Sequence, residues 1–144
     1  MSPKTDDGFS AEEKAAMKER AKELKAAAKA GQDQAAHEKI LLEKFAELTE
    51  PDRSTATRFH ELIKRNFPML AAKTWYGMPA YNKEGKVLVF FQSGLKFGTR
   101  YCTVGFSDQA ALDDGNLWPS SFALKELTPE VETQLIGVIR KAVG

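Results

Sequence analysis

The residue types that most often do chemistry are sparse in this 144-residue chain. Its two histidines, His37 and His60, belong to no ligand spacing of the HExxH kind. Metal ligands come in clusters, so both read as surface or boundary residues. The single cysteine, Cys102, falls on the inward side of an alternating stretch and reads as a buried structural thiol. A reactive thiol needs an electropositive, accessible setting instead. Asp108, Asp113 and Asp114 share one segment, but the alternating acid ladder and closing Glu of a calcium loop are missing. The stretch from Gly94 to Gly98 has the glycines of a phosphate loop without its Lys-Ser/Thr pair, and reads as a turn with Lys96 at its tip. No serine has a histidine spaced to serve it. No catalytic set is therefore assigned, and the chain reads as non-enzymatic. What remains is a group of aromatics with polar tips, Trp75, Tyr76, Tyr81 and Trp118, with the cations Lys96 and Arg100. Such residues line ligand pockets and interfaces as well as cores, so these six are the candidate binding residues for a small molecule or a protein partner.

The elements that must position them follow from periodicity and caps. Ser10 and Glu13 form a capping box for a helix running to about Ala30, with Gly31 as its stop. Its apolar stripe, Met17, Ala21, Leu24 and Ala28, is thin, and its charges are of both signs. The expected arrangement is a solvated extension over residues 1–34, loosely packed or projecting, behind a frayed tail from Met1 to Gly8. From Ala35 the apolar content rises, with Ile40, Leu41, Leu42, Phe45 and Leu48 at helical spacing. Pro51 opens a second core helix carrying Ala56, Phe59, Leu62, Ile63 and Phe67, ended by Pro68. Trp75 to Tyr81 reads as one aromatic strand, Lys83-Glu84-Gly85-Lys86 as a hairpin turn, and Val87 to Phe91 as a central strand. Tyr101 to Phe106 alternates as a half-buried strand does. A short helical turn from Ser107 to Leu112, a last strand over Phe122 to Glu126 and a closing helix capped by Thr128-Pro129 complete the chain.

Helices, then a meander of about four to five strands, then a helix make an α+β domain over residues 35–144. Its sheet is antiparallel, with helices packed on one face.

Composition bounds the function classes. Apolar residues make up 42% and charged residues 28%, a globular profile for one domain. Lys and Arg number 21 against 20 Asp and Glu, a formal charge of +1, which disfavours a nucleic-acid partner. No apolar run is long enough to be a signal peptide or to cross a bilayer, and one cysteine makes no internal disulfide. A cytoplasmic protein without a membrane partner is the expectation; the oligomeric state is left open.

The segment Trp75-Tyr76-Gly77-Met78-Pro79-Ala80-Tyr81, with Gly85-Lys86-Val87 leading into Phe90-Phe91, resembles the signature of the YdhG-like family, a domain of unknown function. Gly105-Phe106-Ser107-Asp108, Trp118-Pro119 and Phe122-Ala123-Leu124 resemble one branch of it. The resemblance spans about residues 35–144 and implies a frataxin-like α+β sandwich. It also implies iron handling, since some relatives are described as iron chaperones. No cofactor is evident from the residues, and iron enters by this resemblance alone. A hard cation needs converging oxygens. The places it would use are Glu43 and Glu47, one helical turn apart, or Asp113 and Asp114. Lys39 and Lys44 lie among the first pair and would oppose it.

Overall fold

The computed structural model describes residues 9–144; the expected frayed tail lies outside the described residues. Helices α1 (Ala11–Ala30), α2 (Gln34–Ala46) and α3 (Asp52–Asn66) come first. Strands β1 (Ala71–Trp75), β2 (Met78–Lys83) and β3 (Lys86–Gln92) follow, then a single helical turn, α4 (Gly94–Phe97). Strands β4 (Cys102–Phe106) and β5 (Ser121–Leu124) and the closing helix α5 (Pro129–Val143) end the chain. The sheet is an antiparallel meander in the order β1-β2-β3-β4-β5, an α+β fold with the expected central strand at β3.

Register sorts the sheet's side chains. Ala72 pairs with Tyr81, Tyr81 with Val89, and Val89 with Phe106, while Phe91 pairs with Val104 and Cys102 with Leu124. These residues share one face, and all are buried. Phe59 of α3 sits on that face, its ring centroid 5.9 Å from Tyr81 and 5.5 Å from Phe91. Leu41 and Phe45 of α2 and Leu135 and Ile139 of α5 complete the same core. The stripe read from α3 is therefore the one that packs. Thr128 caps α5 as expected, its hydroxyl accepting from the amide of Val131 at 3.2 Å.

Four local readings are corrected. Trp75 to Tyr81 is not one strand but two, reversed at Tyr76-Gly77. Trp75 pairs with Met78, and both turn residues have positive φ, 51° and 75°. Two positive φ values suit a tight two-residue hairpin, yet that turn favours Asn-Gly or Asp-Gly, so a tyrosine gives no local signal for it. The helical turn expected after Ser107 is a plain turn, in which the Ser107 hydroxyl accepts from the Gln109 amide at 3.1 Å and donates to the carbonyl of Val87. The Gly94–Gly98 turn is helical, capped by the Ser93 hydroxyl. The two histidines are not at the surface. His37 and His60 are 5% and 3% exposed, the first bonded to the carbonyl of Gly31.

Candidate functional site

The six aromatic and cationic candidates fall into separate places. Tyr81 lies in the core, with its hydroxyl 2.9 Å from His60 Nδ1, and His60 Nε2 is 2.7 Å from Glu38. Lys64 Nζ sits 2.8 Å from the same Glu38 oxygen. Donation from Lys64 and then from His60 holds Glu38 below the usual carboxylate range, against a smaller opposing effect of burial. An ionised carboxylate only accepts, so His60 Nε2 carries a proton. In the neutral ring Nδ1 then accepts from Tyr81. Burial first, and Glu38's charge second, push the Tyr81 phenol well above its ordinary value. This chain of polar groups ties α2, α3 and β2 together, running from the buried Tyr81 and His60 out to the exposed Lys64.

Trp75, Tyr76 and Lys96 gather at the β1–β2 turn. Trp75 meets Tyr76 edge-on at 5.2 Å and Phe90 at 5.5 Å on the sheet face opposite the core helices. Phe90 covers Gly105, where an added Cβ would stand 2.2 Å from Phe90 Cζ, so a side chain at 105 would displace the ring. Lys96 donates to the carbonyl of Gly77 at 3.3 Å. The turn amides are taken by Glu23 of α1, which accepts from Tyr76 at 2.7 Å and from Gly77 at 2.6 Å. Glu23 also pairs with Arg20, whose guanidinium carbon lies 3.8 Å above the Tyr76 ring. The helix expected to be solvated, loosely packed or projecting is thus docked, through Glu19, Arg20 and Glu23 and the small, partly covered Ala26, Ala27 and Ala30. Met17 and Leu24 of its thin stripe are 49% and 52% exposed.

Arg100 and Trp118 stand apart from that cluster. Arg100 lies 5.2 Å over its neighbour Tyr101. Trp118 belongs to the β4–β5 connection, where it walls a cavity of about 430 Å³ with Phe106, Asp108 and Asp113. Neither Trp75 nor Tyr76 lines that cavity.

The metal candidates are also dispersed. Glu47 lies 3.7 Å from Lys44, and Asp113 and Asp114 are exposed in the β4–β5 connection. Among the described residues no three His, Cys, Asp or Glu side chains come together as a metal site. No helix among the described residues is long and apolar enough to cross a membrane.

Two features carry no signal at the level of sequence. Asp52, at the start of α3, is buried and accepts from the Ser93 hydroxyl at 2.5 Å and the Leu95 amide at 2.9 Å. Burial alone would raise its pKa, but donation from Ser93, Leu95, Cys102 and Gly94 outweighs it and leaves the carboxyl below the usual range. Burial pushes the Cys102 thiol up, helped by the charge of Asp52 and opposed by the Gly94 amide. That environment suits the structural thiol expected for this position. The second feature is a groove of about 1010 Å³ between β5 and α5, floored by Val104, Phe122 and Leu124 and walled by Val131, Leu135 and Val138. Lys125, Glu126 and Lys141 stand among its lining. Beside it, β5 pairs with β4 only, so its outer edge has no strand partner among the described residues.

The chain matches no family model, no curated protein and no solved structure.

Proposed function

We propose that this chain is a YdhG-like, non-enzymatic binding module that takes an extended segment of a protein partner along the edge of β5. The observation that carries the reading is the groove between β5 and α5. α5 covers the centre of the sheet but leaves Phe122 and Val138 only partly buried around a space of about 1010 Å³. An added strand would satisfy the free edge of β5 with main-chain hydrogen bonds. Its alternate side chains would fall on the same face as Phe122 and Leu124, into the groove. Main-chain pairing supplies affinity in this mode and the groove supplies selectivity for apolar side chains. Family membership draws on the resemblance of Trp75 to Tyr81 and of the Gly105–Leu124 region. The metal-handling role that the resemblance implies finds no convergent oxygen cluster among the described residues to support it.

A display library of random peptides panned on the full chain tests this reading. Enriched sequences should alternate apolar and polar residues, and their binding should fall on Val138→Glu, which puts a charge on the groove wall. Enrichment of no sequence, or of sequences that bind Val138→Glu equally well, would sink it.

A further inference from the structure

The β1–β2 turn already holds a ligand-like group, and that group belongs to α1. Glu23 is the one buried residue of α1, and its carboxylate takes the two consecutive turn amides at 2.7 and 2.6 Å. One helical turn earlier, Glu19 stands between Lys44 at 3.6 Å and Lys96 at 3.5 Å. The domain thus presents two amides and two ammonium groups, and α1 answers with two carboxylates four residues apart. We propose that this surface is a binding site for an acidic helical segment of a protein partner, and that α1 is its built-in occupant, keeping it closed until displaced.

Three observations separate this from an ordinary helix contact. First, the docking buries no large apolar side chain: beside Glu19, Arg20 and Glu23 only the small Ala26, Ala27 and Ala30 are partly covered. Met17 and Leu24 remain half exposed, and exposed ion pairs such as those of Glu19 contribute little. The charge-assisted bonds of Glu23 to the amides are the strong part of the hold. Second, α1 fills the charges of the site but not its apolar part. A cavity of about 200 Å³ opens beside Lys44 and Lys96, walled by Leu48 and Leu95 with Thr49 and with Glu47, which pairs with Lys44 at 3.7 Å. Leu95 and Phe97 are 55% and 41% exposed at the same place. A partner helix with the same pair of acids and one apolar side chain for that cavity would match the surface better than α1 does. Third, α1 ends at Ala30 with Gly31 as its cap at a φ of 58°, and only Gly31, Gln32 and Asp33 separate it from α2. In the displaced state α1 would leave the turn by rotating at this junction, whose Gly31 carbonyl is held by His37 of α2 at 2.8 Å. This site is separate from the β5–α5 groove and does not depend on it.

The test uses the full chain, in its wild-type form and as Glu19→Ala/Glu23→Ala, and a synthetic peptide with the sequence of residues 11–30 as probe. Amide NMR reports Tyr76 and Gly77, and the spread of the core signals reports folding. Should the alanine pair fail to fold, Glu19→Gln/Glu23→Gln replaces it. The expected result is that the Tyr76 and Gly77 amides shift in the variant and return toward their wild-type positions as the peptide saturates it. The wild type should bind the peptide at least about ten-fold more weakly, because its site is occupied. Binding to the variant should fall by a similar factor when Lys44→Ala and Lys96→Ala are added, or when the peptide carries glutamine for its two acids. Unchanged turn amides in the variant would overturn the proposal, as would a released turn that no peptide saturates. Acetate reproducing the shifts at equal carboxylate concentration would overturn it too, by showing a bare anion effect.

Discussion

Asp52 and Glu23 are both buried acids on helices, and each accepts hydrogen bonds from a turn of the sheet region. Their contexts differ, and so does what each can do. Asp52 sits on α3, whose Ala56, Phe59, Leu62 and Ile63 are all buried in the core. Its donors, Ser93, Leu95 and Cys102, are neutral, and Ser93 and Cys102 are themselves buried. Glu23 sits on α1, which buries no large apolar side chain. Its donors lie at the tip of a hairpin, and a cation beside it, Arg20, belongs to its own helix. The same chemistry is therefore a permanent fastening in one region and a releasable one in the other. What separates them is the apolar area behind the carboxylate, since burial of such area is the main favourable contribution to folding.

The comparison is broken most severely by removing that apolar support. Phe59→Ala should destabilise the protein by about 3–5 kcal/mol, because the ring is fully buried between Tyr81 and Phe91. Equilibrium urea denaturation measures it. A loss under about 1 kcal/mol would mean that α3 does not depend on its stripe.

Asp52→Asn should cost less, about 1–3 kcal/mol, by weakening acceptance from buried donors. It should also change the acid limb. The folded carboxyl titrates below its unfolded value, so the unfolded chain binds the proton first as pH falls. Stability from Asp52 is present above the unfolded value near about 4 and is lost as pH drops through the folded value. Glu38, likewise lowered, adds to the same loss. Unfolding free energies of wild type and Asp52→Asn, measured from pH 6 downward, should converge as the solution becomes acidic. Parallel curves would mean that the charge of Asp52 does not matter to folding.

Glu23→Gln should barely move the global midpoint, by about 1 kcal/mol or less. Hydrogen exchange at Tyr76 and Gly77 should nevertheless quicken, while that of Val89 and Phe91 in the central strand stays unchanged. Equal acceleration everywhere would place Glu23 in the same class as Asp52. The smallest effect belongs to Met17→Lys combined with Leu24→Lys. Both side chains are half exposed, so stability should stay within about 0.5 kcal/mol of wild type by thermal melting. A larger loss would show that α1 leans on its apolar stripe after all.

Much of the architecture is decided within short windows of the chain. The capping box at Ser10 and Glu13, the stripe of α3, the Lys83–Lys86 turn, the alternation from Cys102 to Phe106 and the Thr128 cap all rest on residues a few positions apart. Interactions at that range are read from spacing, because backbone geometry alone brings the partners together. The order of elements therefore sufficed for the α+β class and for the place of β3 at the centre.

Other features depend on partners that only the fold supplies. His60 meets Tyr81 across 21 positions, Asp52 meets Ser93 across 41, and Glu23 meets Tyr76 across 53. Nothing in the residues around His60 distinguishes a surface histidine from one sealed between a phenol and a carboxylate. The Tyr76-Gly77 reversal is the clearest case. A tyrosine at positive φ is locally unfavourable, and the conformation is held by a carboxylate delivered from α1 and a guanidinium laid over the ring. The candidate aromatics are a residue type that fills cores and lines binding surfaces alike. Whether each ended in the core, at a turn or beside the β4–β5 connection was decided by strand register and by which face the helices cover. The sequence by itself determined the long helices, the central strand and the order of the elements, since those arise from local periodicity and capping. Tertiary structure alone decided the β5–α5 groove and the cradle under α1, since each is a surface shared by segments far apart in the chain.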